Sequence, residues 1–133
     1  MNERHGCISI DCDTISDYLV AYQIHPFSQK GDQTLDPVYA KGIPRFLDLF
    51  AELNIKATFF VVGRDMANKS HLKIIRRIVE EGHEIANHTL NHRPDFLELS
   101  SSQKEKEIMC TDRLARIPIS VFAWGIVIPG GCG

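Results

Sequence analysis

The sequence predicts an α/β fold built from parallel βα units. Short, β-branched apolar segments alternate with segments whose apolar residues recur at helical spacing. Residues that typically start or stop helices flank the helical segments. Such alternation is typical of parallel sheets in which a helix connects successive strands. We therefore expect the polar residues that follow the strands to converge on one face of the sheet.

The first predicted strand lies near the start of the chain. Gly6 to Ile10 is a short, mostly apolar run of the kind that forms a strand buried on both faces. The stretch from Thr14 to Lys41 is irregular, and we interpret it as a long excursion with a short helix around Tyr18 to Gln23. Loops of this length are often functional.

The next strand lies between two predicted helices. Pro44 stands where the first helix begins, and Asn54 is its predicted stop. Lys56 to Val62 is the second strand, rich in β-branched and aromatic residues. Ser70 is predicted to cap the second helix, which ends at Gly82.

A third strand and a third helix complete the pattern. His83 to Asn87 is predicted to form the strand. Ser102 and Glu105 have the spacing of a capping box, which opens a helix that extends to about Arg116. The 133 residues, of which 44% are hydrophobic and 24% charged, therefore have the composition of a single soluble domain.

Charge and composition exclude several classes of partner. The formal net charge is -2, and the basic residues form no stripe or tail of the kind that binds nucleic acid. No apolar stretch is long enough to span a bilayer, and the start of the chain lacks a secretory pattern. The cysteines at 7, 12, 110 and 132 indicate reduced, incidental thiols rather than a disulfide framework. We expect a cytoplasmic protein that binds neither nucleic acid nor membrane.

Candidate chemical groups lie at the ends of the first and third strands. Asp11 and Asp13 are two residues apart, which places both carboxylates on one side of an extended chain. His88 and His92 are four residues apart, which brings both rings to one side if the segment makes a helical turn. Two imidazoles and one carboxylate form the ligand set of a hydrolytic zinc site with one open position.

Each half of this pattern also has a simpler interpretation. Six histidines in 133 residues produce a pair at this spacing often by chance, and Asp-x-Asp at a strand end is commonly a turn or a cap. The aspartate pair and the histidine pair together support a metal site more strongly than either alone, because both lie at strand ends on the same predicted face. The other four histidines are interpreted as surface or core-edge residues, namely His5, His25, His71 and His83. Three aromatic residues are interpreted as packing residues, namely Trp124, Phe59 and Phe60.

Three stretches carry a family resemblance. They are Ile10-Asp11-Cys12-Asp13, the segment from Lys56 to Gly63, and the segment from Gly82 to His92. In residue identity and in order along the chain, they resemble successive motifs of the polysaccharide deacetylases, also called carbohydrate esterase family 4. The resemblance implies the N-terminal part of a distorted TIM-like (β/α) barrel that removes acetyl groups from N-acetylated sugars.

The resemblance also implies roles for individual residues. Asp11 would be the catalytic base, and Asp13 would bind a divalent metal, zinc or cobalt, together with His88 and His92. Cys12 separates the two aspartates, as in a cytoplasmic subgroup that includes peptidoglycan deacetylase-like and small-amide hydrolase members. The expected substrate is thus an N-acetylated saccharide or a small amide.

Two other parts of the family's machinery have no convincing counterpart. The family orients its base with an Arg from an Arg-x-Pro motif and protonates the leaving amine with a His from a late motif. Arg116-Ile117-Pro118 is interpreted as a helix terminus instead. The phrase expected near Ala123 to Gly130 reads Ala-Trp-Gly-Ile-Val-Ile-Pro-Gly.

These departures lead to an expectation about the whole chain. A full barrel of this type needs roughly 200 residues or more. Residues 1–133 are therefore expected to form a single truncated deacetylase domain in which 123–133 are a non-native tail, produced by a frameshift near codon 122. The alternatives are a catalytically inactive remnant that still binds metal and a structural βα domain with a chance pair of histidines.

Overall fold

Three short strands form the centre of the fold. The computed structural model describes residues 6–23 and 36–120. Strands β1 (Ser9–Asp11), β2 (Thr58–Val61) and β3 (Glu84–Asn87) form a parallel sheet in the order β1-β2-β3. The predicted parallel βα arrangement is confirmed.

The register of the sheet brings the ends of the strands together. Ile10 lies opposite Phe59, which in turn lies opposite Ile85. Phe59 is fully buried, whereas Ser9 and Asp11 of β1 are exposed. The prediction that the first strand is buried on both faces is therefore wrong for the part that the structure describes. β1 has a hydrogen-bonded neighbour only on its β2 side there, so one edge of it remains uncovered.

Helices connect and flank the strands. Five α-helices and two short helices of other types occur among the described residues. They are α1 (Ile15–Ala21), a π-helix (Val38–Gly42), α2 (Ile43–Leu53), α3 (Gly63–Met66), α4 (Leu72–Glu80), a 3-10 helix (Phe96–Glu98) and α5 (Ser101–Ser120).

The predicted helix ends at Asn54 and Gly82 are confirmed, whereas the predicted N-cap at Ser70 is wrong. Asn54 ends α2 in the left-handed conformation with a φ of 51°, and Gly82 follows α4 with a φ of 78°. Ser70 instead donates its backbone and hydroxyl hydrogens to Asn68 Oδ1, at 3.0 and 2.7 Å. The N-cap of α4 is His71, without a side-chain hydrogen bond.

The start of α5 lies earlier than predicted. Its capping box pairs Ser100 with Gln103, whose Oε1 accepts hydrogen bonds from the Ser100 backbone N and Oγ, both at 2.9 Å. Ser102 and Glu105 are exposed residues of the helix itself. Two overlapping Ser-x-x-(Glu/Gln) patterns compete here, and the chain uses the first one.

The core lies between the sheet and the helices that cover it. α5 packs against α3, α4 and β3, and α2 packs against α4. The fully buried side chains include Tyr39, Ile43, Leu47, Phe59, Val61, Val62, Ile75 and Ile78. Over 6–23 and 36–120, no helix is both long enough and apolar enough to cross a membrane.

Candidate metal centre

Three of the predicted site residues meet beyond the ends of the strands. Asp13 follows β1, and His88 and His92 follow β3. Asp13 Oδ1 lies 3.1 Å from His88 Nε2 and 3.5 Å from His92 Nε2. Parallel strands direct their carboxyl ends to the same edge of a sheet, which explains how residues far apart in sequence meet here.

The donor atoms of this cluster fit a divalent cation. Ligands about 2.0 to 2.1 Å from a tetrahedral zinc ion lie about 3.3 Å from one another. The separations of 3.1 and 3.5 Å from Asp13 Oδ1 bracket that value. Among the described residues, Asp13 Oδ1 and His88 Nε2 are buried and have no hydrogen-bond partner. With His92 they form the one group of three donor residues in the described part of the chain that could hold a metal ion.

The residue between the two aspartates points the other way. Cys12 is fully buried in the core, whereas the Asp13 side chain is 17% exposed and Asp11 is exposed. Burial is the largest cause that raises the pKa of the Cys12 thiol to about 12, and the neighbouring carboxylates contribute to the same rise. Cys12 therefore remains a thiol, and the alternation of an extended chain keeps its sulfur away from the face that Asp13 occupies.

The two histidines lie on a loop. Residues 88–92 form no helical turn, so the rings meet by a route other than the one that the four-residue spacing would require. Thr89 and His92 both have left-handed backbone conformations, with φ of 61° and 48°. Thr89 N donates to Asn87 Oδ1 at 2.9 Å, and His92 N donates to Thr89 Oγ1 at 3.1 Å. These local bonds bring the two rings to a centroid distance of 4.8 Å.

The start of α3, just after β2, holds the histidine loop through its backbone. Gly63 N donates to Thr89 O, and Arg64 N donates to Leu90 O, both at 2.9 Å. A Cβ atom on Gly63 would lie 2.7 Å from Thr111 Oγ1 and 3.2 Å from Leu90 Cα. Glycine at this position therefore permits the loop to approach the strand end closely.

Two histidines predicted at the surface or core edge are buried. His71 is 3% exposed and stacks on the Tyr39 ring at a centroid distance of 3.9 Å. His83 is 7% exposed, and its Nδ1 accepts a hydrogen bond from Ala57 N at 3.1 Å. Burial lowers the pKa of both rings. Phe59 is core, as predicted, whereas His5, His25 and Trp124 lie outside the described residues.

A buried acidic residue lies close behind the site. Asp65 of α3 is 6% exposed, and its Oδ1 lies 3.6 Å from His71 Nδ1. Burial raises the pKa of the Asp65 carboxyl to about 6, and Arg64 acts in the opposite direction. Asp65 Oδ2, His71 Nδ1 and Tyr39 Oη are buried, and none of these atoms has a hydrogen-bond partner among the described residues.

Sequence reasoning missed three polar residues that surround the site. Asp17 of α1 and Arg64 of α3 form an ion pair, and Glu107 of α5 is buried against the histidine loop. One of them had a signal: Thr14 and Asp17 have capping-box spacing, and Asp17 Oδ2 accepts hydrogen bonds from the Thr14 backbone N and Oγ1, both at 2.7 Å. The other two are brought to the site only by packing.

The Arg-x-Pro phrase does not reach the site. Arg116 lies in α5, its side chain is 78% exposed, and it pairs with Asp112 one turn earlier at 3.0 Å. α5 continues past Arg116 through Pro118 to Ser120, the last described residue, so the predicted helix end at about Arg116 is wrong. The predicted tail at 123–133 lies outside the described residues.

The fold and this cluster together define an α/β domain with a candidate metal centre. The family model described as "Polysaccharide deacetylase" matches residues 32–131. The chain belongs to the polysaccharide deacetylase family, and its α/β fold is the corresponding part of that family's TIM-like barrel. The predicted family and fold class are confirmed.

Individual relatives are similar over part of their length. The chitooligosaccharide deacetylase of Rhizobium leguminosarum bv. phaseoli is 40% identical over 75 residues, which are 56% of this chain and 31% of that protein. A peptidoglycan-N-acetylglucosamine deacetylase of Bacillus cereus is 39% identical over 75 residues, again 56% and 31% of the two chains. The chain thus covers about a third of the length of these curated relatives.

Solved structures match over most of the chain. A T48 deacetylase determined with substrate has a TM-score of 0.52 and 27% identity, and the match covers 83% of this chain and 41% of that one. The chitin deacetylase of Colletotrichum lindemuthianum has a TM-score of 0.55 and 23% identity, with coverages of 84% and 39%. The second likeness concerns the fold alone.

Proposed function

We propose that this chain provides the metal-binding part of a hydrolase site that deacetylates N-acetylated sugars or a related amide. Asp13, His88 and His92 would hold one divalent ion, zinc or cobalt. The observation that carries the proposal is the pair of buried, unpartnered atoms Asp13 Oδ1 and His88 Nε2, 3.1 Å apart. The deacetylase relatives named above support the choice of reaction.

The proposed chemistry divides between the ion and the side chains. A bound divalent ion would polarise the amide carbonyl and make a water molecule more acidic. Asp11, exposed at the end of β1 two residues before Asp13, would accept the proton of the attacking water. Asp13 would serve as a ligand of the ion, so the two carboxylates have separate roles.

A second function is favoured by the position of Arg116. Arg116 pairs with Asp112 on α5, so within the described residues it does not supply the arginine that the resemblance implies beside Asp11. We therefore propose, as the alternative, a catalytically inactive remnant that still binds a divalent ion. Under this alternative, metal binding is retained and amide hydrolysis is absent.

One set of variants tests the metal site that both proposed functions require. The full chain is stripped with a chelator, reloaded with Zn²⁺ or Co²⁺, desalted and assayed for metal content. We expect about one ion per chain in the wild type and almost none in Asp13→Asn, His88→Ala or His92→Ala, because each change removes a ligand. Asp48→Asn is the matched control, since Asp48 is exposed on α2 and pairs with Arg77. Equal metal content in all five proteins would refute the metal site.

Activity separates the two functions. Acetate release from N-acetylglucosamine oligomers is measured with the loaded wild type and with Asp11→Asn. Release that depends on Asp11 and on the metal supports the hydrolase. A loaded protein that releases no acetate supports the inactive remnant, and release that Asp11→Asn leaves unchanged excludes Asp11 as the base.

A further inference from the structure

A buried carboxylate outside the predicted site lies behind one of its histidines. Asp17 is on α1, four residues after Asp13, and its side chain is 2% exposed. Its Oδ1 lies 3.7 Å from His92 Nδ1. The other nitrogen of the same ring, Nε2, lies 3.5 Å from Asp13 Oδ1. The His92 ring is therefore located between two carboxylates, one at the site and one behind it.

The position of Asp17 is fixed from two sides. Its Oδ2 accepts hydrogen bonds from the Thr14 backbone N and Oγ1, both at 2.7 Å. Its Oδ1 accepts a hydrogen bond from Arg64 Nη2. Arg64 also donates from Nη1 to Asn91 O at 2.8 Å, one residue before His92. The carboxylate thus connects the start of α1 and, through Arg64, the helix α3 with the histidine loop.

We propose that Asp17 is the positioning residue of His92, an inference that rests on the metal site proposed above. A neutral imidazole has one N–H and one lone pair. With Nδ1–H directed at Asp17 Oδ1, the lone pair on Nε2 faces Asp13 and His88, as a metal ligand requires. Carboxylates behind ligating histidines set the ring orientation and tautomer in this way. The 3.7 Å separation is longer than a hydrogen bond, so the proposal requires the ring to move closer to Asp17.

A purely structural role for Asp17 makes a different prediction. Asp17 could serve only as the cap of α1 and the partner of Arg64, and its replacement would then change stability without changing the His92 ring. Asp17→Asn separates the two roles. Because two Thr14 donors face Oδ2 and a single Arg64 donor faces Oδ1, we expect the amide oxygen to stay on the Thr14 side. The new NH₂ group then takes the place of Oδ1, where Arg64 loses its acceptor and His92 Nδ1 faces a donor. The ring then favours the Nε2–H tautomer, which removes the lone pair from the site.

The first measurement needs no metal. The imidazole ¹⁵N chemical shifts are measured on the metal-free, full chain at about pH 8.5. An ordinary histidine, with a pKa of about 6.5, is neutral at this pH. The shifts report which nitrogen of His92 is protonated. We expect Nδ1–H in the wild type and in Thr14→Ala, which weakens the cap and keeps the carboxylate. We expect a shift toward Nε2–H in Asp17→Asn. Nε2–H in the wild type would overturn the proposal even if the variant fails to fold.

The second measurement is metal affinity. Titration with Co²⁺, followed by its visible absorption, should show binding to Asp17→Asn that is about 10 to 100 times weaker than to the wild type, with an altered spectrum. Thr14→Ala should bind as the wild type does. Equal affinities in Asp17→Asn and Thr14→Ala would overturn the proposal. If the wild type shows the Nδ1–H tautomer and binds no Co²⁺, the metal site fails while the orientation of His92 by Asp17 stands.

Discussion

Glu107 of α5 accepts two hydrogen bonds from Asn91, one from its backbone N at 2.8 Å and one from its side-chain Nδ2 at 2.7 Å. Glu107 is 6% exposed, and Asn91 directly precedes His92. A helix that starts nine residues after His92 thus returns to hold the loop that bears both histidines. Buried hydrogen bonds to a charged group are among the stronger ones in proteins.

Replacing Glu107 should therefore loosen the histidine loop. In Glu107→Ala, both Asn91 donors lose their acceptor, which should cost about 1 to 3 kcal/mol in the free energy of unfolding. The affinity for Co²⁺ should fall roughly tenfold or more, because the ligands must then be ordered on binding. Urea unfolding and a Co²⁺ titration measure the two effects. Glu105→Ala, an exposed change on the same helix, is the control, and equal behaviour of the two variants would contradict the prediction.

The contact between Gly63 and the loop gives a steric prediction. In Gly63→Ala, the new Cβ would meet Thr111 Oγ1 at 2.7 Å and the Leu90 backbone at 3.2 Å. We expect a loss of about 1 to 3 kcal/mol in unfolding free energy, because a packed loop and helix must move apart. Gly42→Ala is the matched control, since a Cβ there meets only Pro37 O at 3.9 Å. Similar thermal unfolding of the two variants would show that the loop yields easily.

His83 should make stability depend on pH. Its Nδ1 accepts the Ala57 N–H, and burial, aided by Lys56, lowers the pKa of the ring below its usual 6.5. Below pH 6.5 the unfolded chain therefore binds a proton that the folded protein does not, so stability falls as the pH decreases from 6.5 to the folded pKa.

A comparison with His83→Leu isolates this effect. The variant leaves the Ala57 N–H without an acceptor, at a cost of about 1 to 3 kcal/mol above pH 7. The difference in unfolding free energy between wild type and variant should narrow as the pH falls from 7 to 5. His71 titrates in both proteins, so its contribution cancels in the difference. A difference that is constant over this range would show that His83 does not titrate as expected.

The buried Asp65 carboxyl should make stability change with pH in the opposite direction. Burial raises its pKa from 3.8 to about 6, so between these values the folded protein binds a proton that the unfolded chain has lost. Stability therefore falls as the pH rises from about 4 to 6. Of the charged groups around it, Asp36 and Asp13 act in the same direction, Arg64 opposes them, and His71 lies 3.6 Å away.

The variant Asp65→Asn should remove this penalty. In the metal-free protein at pH 7 to 8, we expect it to be more stable than the wild type by on the order of 2 kcal/mol, and close to the wild type at pH 4. Urea midpoints across this range measure the difference, with Asp48→Asn as an exposed control. A variant less stable than the wild type at pH 8 would mean that the Asp65 carboxylate has a partner that offsets its burial.

Much of the architecture follows from local patterns in the sequence. Three features were predictable: the βα alternation, the helix ends at Asn54 and Gly82, and the strand-end positions of Asp13, His88 and His92. Each depends on a pattern within a few residues, such as the spacing of apolar side chains or a residue that favours a left-handed helix end. The first residues of helices were less predictable. At α5, Ser100 and Ser102 each start a capping-box pattern, and the local sequence does not distinguish between them.

The sequence by itself determined the family, the parallel arrangement and the ligand candidates. Only the tertiary structure decided how these residues are held. His88 and His92 converge on a loop with two left-handed residues, and Asp17 and Glu107 reach that loop from helices distant in sequence. The physical reason is that residue periodicity records which way a side chain points along its own segment. The partner that it meets depends on how whole segments pack against one another, through contacts that no local pattern contains.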